Sequence, residues 1–564
     1  MSAPIAWSEE FRVNAVAGPW QHSARVTALA NGTFVATWVE QGSDGPRVMA
    51  RLFGADGTPR TGDFAIASST GVEAGQPVIA AQPGGGFVVV WREETTLSGG
   101  EVSDGLWART FSASGSPVSG RIDVDGAQPG MQGEPEVAVL EDGRFSVVWT
   151  NGTGNERDLY VRTFTASGSA VTGAVVVPDF TNLAQRAPSI AATADGGFVV
   201  TWSDASAQLG DDSQNEMAMR FFGPNGLPAS DEALVNTTYL GIQDQSVVTQ
   251  LEGGRIVVAW KDWTAEAGQA DGNNVFFRIF EANGDPVGPD VIANTERALE
   301  QASPAIAALP DGGFILAWAS ERPGAADPAE FEIIVQVFDE AGARRDEPIV
   351  VHPDLPGLHA SPSLAVLADG RVVVTWEDAT GSLGDAAGIH GQILDLRDSG
   401  VARSGTSAAN TMLGTGWNDT LNGRGGNDSL VGANGSDRLR GWTGNDRLNG
   451  GGDDDFIWGQ RGKDVLLGGD GDDWLAGGRD NDRLVGGEGA DVFVFARGDG
   501  RDRIVDWEDG VDKLDLSAFD ISLRKALSYA RQVGDDVVFN FGDGHTLTIE
   551  DARRGELGAS DFIL

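Results

Sequence analysis

The chain contains no cysteine among its 564 residues. Disulfides, zinc–thiolate sites and thiol nucleophiles are therefore excluded. Lysine is nearly absent: of 40 basic residues only Lys261, Lys463, Lys513 and Lys525 are lysines. Acids outnumber bases 83 to 40, for a formal charge of −43. Such a surface repels phosphate, so nucleic acid is excluded as a partner and divalent cations are favoured. No apolar run approaches the roughly 18 residues of a membrane span. The start, Met1 to Glu10, has neither a basic region nor an apolar stretch, so no cleaved signal peptide is expected. Taken alone these absences suggest the cytosol, a reading the C-terminal sequence reverses. The GxSxG and HExxH signatures are missing, which removes the commonest serine hydrolase and zinc protease chemistries.

What is abundant is glycine, 79 residues, and it falls in repeats. Between residues 31 and 376 one phrase recurs seven times, from NGTFVATW ending at Trp38 to DGRVVVTW ending at Trp376. The tryptophans are spaced 53, 58, 53, 58, 58 and 58 residues apart. Each phrase is a turn leading into a β-branched and aromatic strand. A short strand precedes it, such as Pro188 to Ala192. An Arg-x-Phe strand follows, as in Arg51/Phe53, Arg109/Phe111, Arg162/Phe164, Arg220/Phe222 and Arg278/Phe280, drifting to Gln336/Phe338 and Gln392/Leu394. A fourth strand such as Val291 to Asn294 completes the unit. Four strands in about 56 residues, seven times over, predict an all-β fold with a seven-bladed β-propeller across residues 1–396. The seventh unit lacks its fourth strand. Residues 10–16 are expected to supply it and close blade seven, which removes an exposed sheet edge.

Residues 397–404 read as a linker. From Gly414 to Val494 nine nonapeptides then follow without insertion, with Gly always first. The sixth position is always Asp: Asp419, Asp428, Asp437, Asp446, Asp455, Asp464, Asp473, Asp482 and Asp491. The eighth is always large and apolar, from Leu421 to Phe493. Residues 405–413 are a decayed further copy, with Asn410 and Met412 in those places. Glycine allows tight turns and close approach of carbonyl groups to an ion. Aspartate supplies the hard oxygen that Ca²⁺ takes at six or more ligands.

This pattern resembles the RTX calcium-binding repeat, GGxGxDxUx. The resemblance implies a parallel β-roll over residues 405–494. It also implies several Ca²⁺ ions between successive turns, with the nine aspartates as ligands beside glycine carbonyls. Trp417, Asp453 and Asp480 depart from the usual glycine at the fourth position. Residues 495–564 resemble the segment that follows such rolls, a C-terminal β cap. Phe539–Phe541 and Thr546–Glu550 read as its strands, and the ending Asp561-Phe562-Ile563-Leu564 resembles a type I secretion signal. The type I secretion machinery is then an expected partner, and a secreted, extracellular or cell-surface location the expected one. The roll should need calcium to fold, since each turn buries chiefly one side chain against the entropy of ordering nine residues.

The propeller carries no catalytic signature. Two residues after each repeat Trp stand Glu40, Glu93, Asn151, Asp204, Asp262, Ser320 and Asp378, which in a ring would fall on one face. They are either a site for a cation, basic ligand or sugar, or solvated starts of loops. Gln21, Gln132, Gln185, Gln243 and Gln301, with His359 as the counterpart in blade seven, read as a repeated structural hydrogen bond. Of the five histidines (His22, His352, His359, His390 and His545), His22 and His359 precede the first strands of blades one and seven and suggest a two-histidine site. The propeller repeat resembles repeats in large secreted bacterial proteins and adhesins. That resemblance implies recognition or adhesion, with a glycan, protein or cell-surface ligand. The alternatives are a secreted hydrolase or lyase acting at a propeller mouth, and a structural surface-layer or matrix component.

Overall fold

The computed structural model describes residues 5–6, 10–15, 20–43, 45–67, 72–96, 102–126, 128, 130–153, 156–179, 181, 183–206, 215–237, 241–263, 273–296, 299–323, 330–352, 357–379, 388–396 and 400–564. The chain divides into two compact units, Met1–Leu396 and Arg397–Leu564.

The first unit is a seven-bladed β-propeller of antiparallel four-stranded sheets. The innermost strands are Gln21–Ala28, Val72–Ala81, Gln132–Val139, Gln185–Ala192, Ile242–Gln250, Gln301–Ala308 and His359–Val366. Each contacts the next, and His359–Val366 contacts Gln21–Ala28, so the ring is closed. The repeat phrase forms the second strand, and its Trp is buried in every blade. Each inner strand carries a bulge with one residue in the left-handed region: Ser23, Gln76, Glu134, Ala187, Gln245, Ser303 and Ser361. None of these seven is glycine, so that strain is offset by bonds between blades. The amide of Glu134 donates to Gln76 Oε1, that of Ala187 to Glu134 Oε2 and that of Ser303 to Gln245 Oε1.

The Arg-x-Phe arginines also join neighbours. Arg220 Nε donates to Ser230 O in its own blade, and Nη1 to Val177 O of the preceding one at 2.8 Å. Arg162 and Arg278 repeat this on Val124 and Val235. In blade six Gln336 keeps only the bond within the blade, to Asp346 O. Arg51 makes the same bridge to Val13 O at 3.1 Å, which ties blade one to the N-terminal strand.

That strand completes blade seven in two pieces. Ile5–Ala6 pairs with Leu394 and Asp395, and Phe11–Arg12 pairs with His390 and Gly391. Val13 N donates to Ile389 O, and Asn14 Oδ1 receives Ile389 N. Phe11 packs on Phe34 and Phe53 of blade one, at 6.2 and 5.8 Å between ring centroids. Residue 16 lies outside the described residues.

The second unit is a parallel β-roll of two sheets, and strands 18 residues apart pair in each, as in Leu448↔Leu466 and Leu439↔Ile457. Its first strand, Ala402–Ser404, pairs with Thr420–Asn422, so the roll begins inside the stretch read as a linker. Residues 397–399 lie outside the described residues. The eighth-position side chains, Leu421 through Phe493, are all buried between the sheets. The C-terminal segment extends both sheets: Lys513–Asp515 and then Phe562–Ile563 on one, Arg501–Ile504 and the hairpin Asp536–Gly542/His545–Ile549 on the other. The short helix Leu523–Tyr529, not foreseen from sequence, packs against Asp536–Gly542.

Candidate functional site

The nine sixth-position aspartates form one ladder, and each is at most 3% exposed. Each repeat donates its Asp backbone N–H to Oδ1 of the aspartate one full turn later: Asp437 to Asp455, Asp446 to Asp464 and Asp455 to Asp473, each at 2.8 Å. Oδ1 therefore holds successive turns together. Oδ2 of Asp428, Asp437, Asp446, Asp455, Asp464, Asp473 and Asp482 is buried and has no hydrogen-bond partner among the described residues.

The surroundings of Oδ2 are carbonyl oxygens. A Cβ placed on Gly450 would lie 1.9 Å from Asp455 Oδ2 and 2.8 Å from Gly468 O; on Gly468 it would lie 2.1 Å from Asp473 Oδ2 and 2.3 Å from Gly486 O. First-position glycine is thus required for close approach. The left-handed turns fall instead at the second and fourth positions, where Arg424, Ala433, Trp442, Asp453, Gln460 and Asp480 also occur. Asp453 and Asp480 adopt that conformation without glycine, and Trp417 is not among the positive-φ residues.

Burial, with neighbouring carboxylates adding to it, pushes Asp455 up to about 8 and Asp437, Asp464, Asp473 and Asp482 up to about 7. Asp491 rises to about 6, and Asp446 is raised. Such a ladder resists its own ionisation, and divalent cations bound by oxygen relieve that cost. The residues fit calcium: an Asp Oδ2 and a glycine carbonyl oxygen both crowd the first-position glycine at Gly423, Gly432, Gly450, Gly459 and Gly468.

The ends differ. Asp419 Oδ2 accepts the Thr415 amide, so the first turn is closed by protein. At the other end Asp482 donates to Asp502 Oδ1 and Asp491 to Asp512 Oδ1, which lengthens the ladder past the nine aspartates. Burial raises these two carboxyls as well, to about 8 and about 6. The intervals of 20 and 21 residues break the nonapeptide phase. Their signal in the sequence is the pair Gly500-Arg501-Asp502 and Gly510-Val511-Asp512, each followed by an apolar residue two places on.

In the propeller, the residues two places after each Trp share one level of the ring, opposite the glutamine position: Gln21↔Glu40, Ala74↔Glu93, Gln132↔Asn151, Gln185↔Asp204, Gln243↔Asp262, Gln301↔Ser320 and His359↔Asp378. They do not begin solvated loops. Glu93, Asp204, Asp262 and Asp378 are buried. Gln185 Nε2 donates to Asp204 Oδ1 and Gln243 Nε2 to Asp262 Oδ2, and the indoles of Trp91 and Trp202 donate to Glu93 and Asp204. These pairs are structural.

The residue before the glutamine position is exposed in several blades, although Ala184 before Gln185 is buried. Trp20, Met131, Ile242 and Leu358 are exposed there, with Trp263 opposite Ile242. Trp20 is 57% and Trp263 52% exposed. His22 lies beside Trp20, and its ring bonds Gln41 and Ser23. His359 instead lies against the His352 ring, so the two predicted histidines sit in different surroundings. Sequence reasoning did not single out His352 and His390.

Residues 404–502 match the RTX calcium-binding nonapeptide repeat, in copies over 404–439, 431–466, 440–475 and 467–502. The fold and these repeats define a propeller protein with a C-terminal calcium-binding RTX roll. Among solved structures, the chain is similar to a protein of unknown function from Dyadobacter fermentans (14% identity, 69% of this chain and 98% of that one, TM-score 0.41). It is similar to a polysaccharide lyase acting as an ulvan lyase (10%, 67% and 95%, 0.44). It is also similar to an α-L-arabinanase from Penicillium chrysogenum (14%, 69% and 99%, 0.40). No curated protein matches the sequence.

Proposed function

We propose that this is an extracellular RTX protein whose roll folds on several Ca²⁺ ions and whose propeller mouth recognises a surface ligand. The observation that carries the first half is the series of buried Oδ2 atoms beside glycine carbonyls. Asp428, Asp437, Asp446, Asp455, Asp464, Asp473 and Asp482 are assigned as principal ligands, with Asp419 and Asp491 at the ends of the series. In low calcium, adjacent buried carboxylates oppose folding, which keeps the segment threadable through a type I channel. Calcium near the millimolar level outside, where extracellular modules typically bind at about 10⁻⁴–10⁻³ M, folds it.

Recognition at the propeller rests on Trp20, Met131, Ile242, Trp263 and Leu358, which occupy one mouth at equivalent or facing positions. Exposed aromatic and aliphatic side chains grouped this way offer flat apolar area for a sugar ring or protein surface. Behind them Glu93, Asp204 and Asp262 are hydrogen-bonded within the blades. The test is a glycan array, run in calcium beside a polysaccharide-cleavage screen. Wild type should bind a defined set, and Trp20→Ala/Trp263→Ala should lose it while calcium still folds the roll. Binding unchanged in that variant, or turnover of a bound polysaccharide, would replace recognition with another reading.

A further inference from the structure

Blade seven differs from the other six at one spot. The third-strand residue opposite the repeat Trp is Met49, Trp107, Tyr160, Ala218, Phe276 or Ile334 in blades one to six, and His390 in blade seven. The glutamine position is His359. At the end of the fourth strand, Asn236 and Asn294 accept a backbone amide through Oδ1, whereas blade six uses His352 Nε2 to accept Ile333 N. Three separate repeat positions thus become imidazole, and the fold brings all three together. His352 lies against His359 at 3.8 Å between ring centroids, the rings tilted by 39°, and Trp376 lies beside both His352 and His390.

Two carboxylates join them. His390 Nδ1 lies 3.4 Å from Asp378 Oδ2 and in contact with Glu10 Oε1, and His359 Nδ1 lies 3.8 Å from Asp378 Oδ1. One donor atom from each of Glu10, Asp378 and His390 lies within 4.8 Å of the others. His359, His390 and Asp378 are at most 1% exposed. His352 Nδ1, on a ring 5% exposed, has no hydrogen-bond partner among the described residues.

We propose that Glu10, Asp378 and His390 bind a divalent transition-metal ion of the Zn²⁺ type, and that this ion clasps the N-terminal strand into blade seven. A mixed nitrogen and carboxylate set suits zinc; calcium takes oxygen alone. Zinc ligands at roughly 2.0–2.1 Å stand about 3.3 Å apart in a tetrahedron, close to the His390–Asp378 spacing already present, while Glu10, now hydrogen-bonded to His390 Nδ1, would exchange that shared proton for the ion and draw back to ligand spacing. Glu10 and Asp378 converge on the same imidazole, a donor set that a divalent cation can occupy. His359 Nδ1 lies 3.8 Å from Asp378 Oδ1, beyond hydrogen-bond reach, and lines the far side of the carboxylate. Glu10 comes from the segment that closes the ring, and Asp378 and His390 from the second and third strands of the blade. One ion therefore joins chain positions 380 residues apart.

The test uses the full chain, stripped of metal and returned to calcium sufficient to fold the roll. Zn²⁺ alone is then titrated, with metal content measured after dialysis and unfolding followed by heating. Wild type should retain about one Zn²⁺ per chain, and the propeller transition should move up. Glu10→Gln, an isosteric change at a partly exposed side chain, should weaken zinc at least about tenfold and abolish the shift. His390→Gln should do the same, and His545→Gln, in the other unit, should not. No retained zinc in wild type, or equal zinc in wild type and Glu10→Gln, would overturn the proposal. If His390→Gln fails to fold, Glu10→Gln alone decides.

Discussion

Replacing Asp455 with asparagine should change the stability of the roll in opposite directions with and without calcium. Asp455 is 1% exposed; its Oδ1 accepts the Asp437 amide at 2.8 Å, and its Oδ2 faces the first-position glycine and a carbonyl of the next turn. Burial, with the charges of Asp437 and Asp473, moves its carboxyl from an ordinary 3.8 up to about 8. Holding it ionised near pH 7.5 in a calcium-free fold therefore opposes folding by at most about 5 kcal/mol, at roughly 1.4 kcal/mol per pH unit. Asp437 and Asp473 share that field, so neutralising one member should return about 1–3 kcal/mol. Asparagine keeps the Oδ1 bond to the Asp437 amide. In EGTA, Asp455→Asn should accordingly slow amide exchange across residues 437–473. In calcium the sign reverses, because a charged ligand is lost, and the calcium needed for half-protection should rise at least about tenfold. Hydrogen-exchange mass spectrometry on the full chain reads both arms and leaves the propeller as an internal reference. Faster or unchanged exchange in EGTA would refute the burial argument, and an unchanged calcium midpoint would remove Asp455 from the ligand set.

The same ladder sets a pH response. The folded carboxyls hold protons up to about 7 or 8 against 3.8 when unfolded, so the calcium-free roll is favoured below about pH 4 and loses that stability as pH rises through about 8. Exchange in EGTA at about pH 5 should be slower, after correction for intrinsic rates, than at about pH 8; the reverse order would contradict the sign. Gly450→Ala should disrupt the turn locally and abolish its calcium response, since the new Cβ would lie 1.9 Å from Asp455 Oδ2, whereas Gly84→Ala meets nothing within 4 Å and should be silent. Equal calcium titrations for the two would show that the cradle is not the site. Phe11→Ala removes the ring packed on Phe34 and Phe53 and should destabilise the propeller by roughly 2–4 kcal/mol, read as a lower Tm of that transition with the roll unaffected. A Tm unchanged from wild type would mean that the N-terminal strand does not hold the ring.

The sequence by itself determined the parts that repeat. Seven tryptophans in near-constant phase specify seven sheets, because each must bury one face against a neighbour and an identical unit meets an identical unit. Nine aspartates and nine apolar residues in a nine-residue phase specify turns of 18, with one residue type facing the core and the other the ladder. Tertiary structure decided whatever lies outside that periodicity. Glu93, Asp204 and Asp262 read from the sequence as a rim site or as solvated starts of loops, and only the tertiary pairing with Gln185, Gln243 and the indoles shows them buried. Asp502 and Asp512 join the ladder across intervals that spoil the sequence phase, because the strands after them still align on the sheets. His352, His359, His390 and Glu10 gave no common pattern in the chain. They meet because closing a ring places its first strand beside its last, a contact set by the geometry of the whole propeller and by no local propensity.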